Sequence, residues 1–523
     1  MVFLTVRVVL GFLAALCLYA QPALHLKARR QAVEGLADPL NQQTRGDAKT
    51  LRPGRVHRIV QFQEAPAASE IEALRRQGAR VLQYVPDNAL LISGPTMLEL
   101  GGVEVHGVEA LLASDKLSPL AEGGMVSHEP WRNWVVEFHA DVEQADSLEI
   151  LTQERLRMRE HPDLLSSHLV VEGSLEQMRA LAQWDEVAYI FPASRELEEG
   201  MAVHACAGAV TDSGPVGQLV SKIGDGWDGP GRNAASLTYS MQTLTEKVPR
   251  EALLAEIGKA LTEWGRYVQV TFTAGGAVNG NRNLNFLFAT RAHGDPYPFD
   301  GRGRVLAHTF YPAPPNPEPV AGDLHFDDEE DWRIGNDVDA YSVILHELGH
   351  ALGLGHSDKP GAVMYAYYRM ASALTDEDIG AIRELYASRG AGENPQPPAP
   401  PQPPTQPPTR PPPPPNPPPQ PPPAPPAPPA ADRTAPTLVV ISPNSTSVLT
   451  SAATIAVRGT ASDDTAVRQV FWTSNTGGAG AATGTTNWSI PAIPLLKGTN
   501  QITIRAVDEA GNVAWRSLVV RRQ

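Results

Sequence analysis

His346-Glu347-Leu348-Gly349-His350-Ala351-Leu352-Gly353-Leu354-Gly355-His356 gathers three imidazoles and one carboxylate in a short run. On a helix, His346 and His350 stand at i and i+4, so both rings leave the same face one turn apart and can reach one Zn²⁺. Glu347 follows the first ligand directly, which places its carboxylate beside the metal but outside the ligand set, where it can act as general base toward a water. Gly353 lets the chain leave the helix with positive φ and turn back, bringing His356 in as the third ligand. The fourth position stays open, which marks a catalytic rather than a structural zinc site.

The full spacing is similar to the metzincin signature HExxHxxGxxH, and that resemblance implies a methionine turn below the metal. Met364, in Gly361-Ala362-Val363-Met364-Tyr365, lies where such a turn is expected.

At 523 residues, of which 42% are apolar, the chain has room for several domains. A formal net charge of −15 argues against nucleic acid or an anionic membrane surface as partner. With only two cysteines, Cys17 and Cys206, no disulfide framework holds these domains. Residues 1–23 read as a secretory signal: Arg7, the apolar run Val8 to Tyr19, and small residues at Ala20 and Ala23. The run is short for a membrane span and no later one reaches that length, so no stable membrane anchor is expected. Its removal leaves Cys206 as the one cysteine of a secreted, extracellular chain.

Residues 393–433 hold a proline tract in which Arg410 is the only charge from Pro395 to Pro429. It reads as a stiff polyproline-II linker of about 100 Å reach, at about 3.1 Å per residue. Residues 434–523 alternate in period 2 (Thr437 to Ile441, Thr454 to Val457, Gln469 to Trp472, Asn500 to Val507), which predicts a small all-β sandwich. This segment resembles bacterial Ig-like modules. Residues 45–195 look duplicated. A strand at Arg55 to Phe62, a helix at Ser69 to Arg80 and strands at Val81 to Val85 and Ala89 to Ser93 form the first copy. A strand at Asn133 to His139, a helix at Ser147 to His161, a strand at Ser166 to Glu172, a helix at Ser174 to Trp184 and a strand at Val187 to Phe191 form the second. Each copy suggests a ferredoxin-like sandwich, and the pair resembles the propeptides of subtilisin-like proteases.

Residues 236–392 show mixed helix and strand patterns around the opening motif. Beyond that motif they carry His293-Gly294-Asp295, Pro298-Phe299-Asp300-Gly301-Arg302-Gly303, Leu306-Ala307-His308 and Gly322-Asp323-Leu324-His325-Phe326-Asp327. With Ser357 after the third histidine, this region resembles the catalytic domain of matrix metalloproteinases, the matrixins. The resemblance implies a structural zinc on His293, Asp295, His308 and His325, a closed four-ligand set. It also implies a calcium on the carboxylates of Asp300, Asp327 and Glu330 and the carbonyls of Gly301, Gly303 and Val305, oxygen ligands that suit a hard cation. Every histidine after His204 falls in one of the two zinc sets.

The sequence also departs from the family. Pro312 to Pro319 replaces the glycine-rich segment of a second calcium site, and Ala366 stands where a proline follows the turn methionine. The Pro-Arg-Cys-Gly latency motif is absent, yet Cys206, in the connector 196–235, is placed to cap the open zinc position as a thiolate. Tyr365 and Tyr368 would line the main specificity pocket, and substrate would pair antiparallel to the strand through Val305, Leu306 and Ala307.

The fold expected is α+β: a metzincin domain with a twisted mixed sheet and an active-site helix, tandem ferredoxin-like domains before it and a β-sandwich after it. The function expected is a secreted, monomeric zinc endopeptidase made as a zymogen and acting on protein or peptide substrates. The competing expectation is a secreted adhesion protein that keeps the metzincin domain only as a scaffold.

Overall fold

The computed structural model describes residues 23–32, 49–98, 105–121, 133–390 and 435–523, apart from 162, 202, 212, 221–225, 230, 304, 314, 337, 446, 475–477 and 510–512. The expected signal, residues 1–23, lies outside the described residues as far as residue 22, and so does the expected linker 393–433.

Two four-stranded antiparallel sheets form the N-terminal part. The first runs Arg80–Val85, Ala89–Pro95, Arg55–Phe62, Val105–Ala110, with the helix Ala68–Arg76 setting Ile71 and Leu74 against the core. The second runs Val187–Pro192, Asn133–Phe138, His168–Glu172, Arg157–Arg159, with helices Gln144–Gln153 and Leu175–Leu181. The second copy differs from the sequence expectation at its first helix, which stops at Gln153 instead of running to His161. Arg155 takes φ 55°, and the chain returns as the strand Arg157–Arg159. The alternation Arg157, Met158, Arg159 carries the reason: Met158 turns inward between two exposed arginines, a period-2 pattern that a helix cannot satisfy.

The domain containing the zinc motif is built on a seven-stranded sheet ordered Gly214–Pro215, Ala209–Thr211, Ala307–Phe310, Leu324–Asp327, Asn283–Ala289, Ala235–Thr243, Val270–Ala274. Four of these strands (235–243, 270–274, 283–289 and 324–327) run parallel to their neighbours among themselves, while Ala307–Phe310 is antiparallel to Leu324–Asp327. The long helix Arg250–Tyr267 makes the crossover and buries Leu253, Ile257, Leu261 and Trp264 on one face, the spacing of an amphipathic helix. That face packs on the helix Ala340–Ala351, which is buried almost all round, and the Trp264 indole donates to the Leu345 carbonyl at 2.9 Å. The helix Asp376–Leu385 closes the domain.

Ala307–Phe310 would be the sheet edge, but Ala209–Thr211 pairs with it in parallel and Gly214–Pro215 extends the sheet further. The C-terminal region has two sheets, of three and five strands. Leu438, Val457, Trp488 and Ile490 face Val470, Ile502, Ile504 and Leu518 across its core.

Trp264→Ala should lower the stability of the zinc-motif domain by about 3–5 kcal/mol, because a fully buried ring and its hydrogen bond leave together. Urea unfolding followed by circular dichroism measures this; an unmoved midpoint contradicts the packing described.

Candidate active site

The helix Ala340–Ala351 starts where Asp339 accepts from the Ser342 backbone N–H and ends one residue after His350. Leu352 caps it, Gly353 takes φ 104°, and the reversal delivers His356. A side chain at Gly353 would be strained in that conformation. The three rings lie within 4.8, 5.3 and 4.9 Å of one another, centroid to centroid. All three histidines are buried.

Each ring is oriented through Nδ1. His346 donates to the Val363 carbonyl at 2.6 Å and His350 to the Leu354 carbonyl at 2.7 Å. The Nδ1 of His356 lies 2.8 Å from the Gln218 amide. With the amide oxygen turned toward the ring, His356 donates as the other two do. All three Nε2 atoms are then free for a common partner, the second-shell arrangement usual for metal-binding imidazoles. Burial holds the three imidazoles neutral, lowering the pKa of His346 to about 4 and those of His350 and His356 well below the ordinary imidazole value. Nε2 of His356 is buried with no hydrogen-bond partner. Three neutral, pre-oriented Nε2 atoms at one point fit a zinc ion.

Cys206 reaches the same point. Its Sγ and the three imidazoles form one cluster whose candidate ligand atoms all lie within 4.8 Å of one another. The thiol donates to Glu347 Oε1 at 2.9 Å and lies 3.6 Å from His350 Nε2. The other oxygen of Glu347 accepts from the Thr309 hydroxyl at 2.6 Å. Burial pushes the Glu347 carboxyl up to about 7. Gly208, with φ 89°, lets the backbone pass the ring of His356; a Cβ there would lie 3.2 Å from His356 Cε1.

The segment from Val203 to Thr211 fills the cleft. Leu306 donates to the Ala205 carbonyl at 3.0 Å, Ala207 donates to the Ala307 carbonyl at 3.2 Å, and Cys206 donates its N–H to the Ala366 carbonyl at 3.1 Å. On the far side His204–Ala205 pairs antiparallel with Tyr367–Tyr368. Along the edge strand the segment runs parallel, matching Ala205 to Val305 and Ala209 to Thr309.

The second histidine set also assembles. Asp295 Oδ2 lies 3.0 Å from His293 Nε2, 3.0 Å from His308 Nε2 and 2.8 Å from His325 Nδ1. Burial works against the Asp295 carboxylate, but hydrogen bonds from His308 and His325 outweigh it and hold its pKa far below the usual range. Beside this set, Asp327 and Glu330 are buried. Burial raises both carboxyls, Asp327 to about 6, and nearby acids including Asp300 add to the rise. Gly301 donates to Asp327 and Gly303 to Glu330. Such a crowd of acids is what a bound cation would relieve.

The two tyrosines separate. Tyr368 lines a small cavity with Leu306, Val343, His346, Glu347 and Arg369. Tyr365 instead turns to the second N-terminal sheet, donating to the Pro192 carbonyl at 2.9 Å and meeting Phe191 edge-on. Met364 lies under the helix, where a Cβ on Gly349 would meet its sulfur at 2.2 Å.

Several groups at the site carry no motif signal. Asp378 accepts from the N–H groups of Val363 and Met364, both at 3.0 Å, and so holds the methionine turn. Thr309 and Gln218 hold Glu347 and His356. Lys27 pairs with Asp358 at 2.5 Å, and Asp358 also accepts from Tyr189 at 2.6 Å. These come from distant parts of the chain, so no local spacing announces them.

Asp378→Ala leaves two buried donors unpaired, at about 1–3 kcal/mol each. The protein should melt earlier and lose bound zinc to a chelator faster; unaltered retention and melting would remove Asp378 from this role.

Residues 231–387 match the matrixin family, and residues 25–110 match a domain of unknown function (DUF8729). Human matrilysin is 38% identical over 159 residues, 29% of this chain and 57% of its own length. Rat stromelysin-2 is 36% identical over 170 residues, 31% of this chain and 34% of its own. Matrix metalloproteinase-2 of Drosophila melanogaster is 38% identical over 180 residues, 32% of this chain and 23% of its own. The chain thus spans less than two thirds of the length of each of these relatives. None of the described helices is long and apolar enough to cross a membrane. Joined to the geometry of the three histidines and Glu347, these matches identify residues 231–387 as a matrixin, a metzincin domain of the zinc-metalloendopeptidase class.

Proposed function

We propose that the chain is a secreted zinc endopeptidase made in a latent form, with His346, His350 and His356 holding the catalytic ion and Glu347 as general base. The observation that carries this is the meeting of three Nδ1-anchored imidazoles with Glu347 beside them. Zinc, when bound, supplies Lewis acidity toward a peptide carbonyl and lowers the pKa of water. Glu347, held by Thr309, takes the proton of the attacking water and returns it to the leaving amine. Leu306 N–H and the Ala307 carbonyl bind substrate backbone at the edge strand, and the cavity lined by Tyr368 receives one side chain. Selectivity follows mainly from that cavity.

His293, Asp295, His308 and His325 would hold a structural zinc. Asp300, Asp327 and Glu330, with the carbonyls of Gly301, Gly303 and Val305, would hold calcium. The substrates are proteins or peptides, and the enzyme works as a monomer outside the cell.

Latency rests on residues 45–195 and on the Cys206 segment of the connector 196–235. The strand order 2-3-1-4 in both N-terminal sheets supports reading them as tandem ferredoxin-like units of a pro-region. The cleft-filling segment supports it further. It takes the backbone partners a substrate would use while running parallel to the edge strand, opposite to the direction expected of substrate. Its Cys206 sulfur stands where the fourth ligand would enter.

Glu347→Ala should keep its zinc content while turnover on peptides falls by at least about 10²-fold; undiminished cleavage would end the general-base assignment. Cys206→Ser in the full-length protein should shorten the lag before peptide cleavage begins, because the thiol no longer competes for the open position. An identical lag assigns latency elsewhere.

A further inference from the structure

The outward face of the C-terminal sandwich carries a row that alternation alone would leave in water. Phe471, Arg505 and Trp515 stand side by side on three adjacent strands, Phe471 paired with Arg505 and Arg505 with Trp515. Their neighbours along the strands, Val470, Ile504, Ala506 and Leu518, point into the core. Aromatic rings and arginine together are the residues that concentrate binding energy at interfaces.

Every member of the row touches another part of the chain. Arg505 forms an ion pair with Asp163 of the second N-terminal unit, and both side chains are about 95% buried. The Trp515 indole donates to the Gly200 carbonyl at 2.9 Å. Phe471 lies under the Arg302 guanidinium, 5.0 Å from ring centroid to Cζ. Nearby, His161 donates to the Met201 carbonyl at 2.7 Å and meets the Trp515 ring at 5.9 Å.

Asp163 has a second task. Its Oδ2 accepts from the Val203 N–H at 3.1 Å. Val203 is the residue at which the cleft-filling segment begins, three positions before Cys206. One carboxylate therefore ties the C-terminal sandwich to the segment that covers the active site. A buried charge pair of this kind requires both partners, because either one alone would be a desolvated charge.

We propose that the C-terminal sandwich is a clamp whose docking partner is this chain's own pro-region and connector: Arg505 and Trp515 seat on Asp163 and Gly200, Phe471 rests against Arg302 of the matrixin domain, and the row holds the start of the cleft-filling segment shut. The clamp rests on the latency reading above for its purpose, though its geometry does not. It fixes the segment at Gly200 and Val203, shields the backbone there from cleavage, and is freed when the pro-region leaves. The face that docks within the latent chain then becomes available to other ligands.

The test uses the full-length chain in a Glu347→Ala background, so that self-processing cannot blur it. Arg505→Met and Trp515→Ala are compared with the parent by amide hydrogen exchange at Val203 and by the rate at which added thermolysin cuts between residues 195 and 206. Both rates should rise about tenfold or more, as expected for a contact that governs local opening, while protection in the strand Gly498–Asp508 stays as it was. Should a variant unfold the sandwich, the clamp predicts the same rise at Val203. Unchanged exchange and cutting in both variants overturn the proposal. Neither readout depends on peptidase activity: a faster opening with no gain in activity, when the same substitutions are placed on Glu347, would leave the clamp standing and count against the latency reading.

Discussion

Burying three imidazoles beside a carboxylate is unfavourable unless every ring has a fixed orientation and a common partner for the remaining nitrogens. Most of the architecture around the zinc motif answers that constraint. Val363, brought back by the methionine turn, fixes His346. Leu354, brought back by Gly353, fixes His350, and Gln218 reaches His356 from the connector. Asp378 closes the circuit by holding Val363 and Met364. The helix is buried on nearly all sides, its ligand face included.

The same constraint explains why the cover is so closely fitted. An open site would admit water to Nε2 and to Glu347; here Cys206 approaches both, held by its own N–H on the Ala366 carbonyl and by the Ala207 N–H on the Ala307 carbonyl. The N-terminal units then pin the walls. Tyr365 is turned toward Pro192 and Tyr367 toward His168 at 2.6 Å, so the loop that would shape a specificity pocket is shared with the cover. Tyr365, held at Pro192, does not line the cavity that Tyr368 lines.

The two histidine clusters were legible because their chemistry is local or widely shared. His346, His350 and His356 are spaced by one helix and one glycine turn, and His293, Asp295, His308 and His325 are read from resemblance and do meet in space. Long amphipathic runs such as Arg250–Tyr267 were legible for the same reason, since period 3.6 survives over many residues. Short strands were not. Arg157–Arg159 spans too few residues for its period to outweigh the helix before it, and the strands Ala209–Thr211 and Gly214–Pro215 gain their conformation from the sheet edge they join. In the connector 196–235, Val216, Leu219 and Val220 are buried although no helix or strand period announces them. Thr309, Gln218, Asp358 and the Phe471–Arg505–Trp515 row were invisible for a simpler reason: each acts through a residue far away in sequence.

The central claim is that the ion held by His346, His350 and His356 is covered by this chain's own sulfur. Zinc X-ray absorption on the zinc-loaded, full-length protein addresses it directly, because Cys17 is the one other cysteine in the sequence. The account predicts a zinc–sulfur shell at about 2.3 Å alongside nitrogen ligands at about 2.0–2.1 Å, with the sulfur shell lost once the pro-region is cut away. A spectrum of the intact chain containing nitrogen and oxygen neighbours only would contradict it.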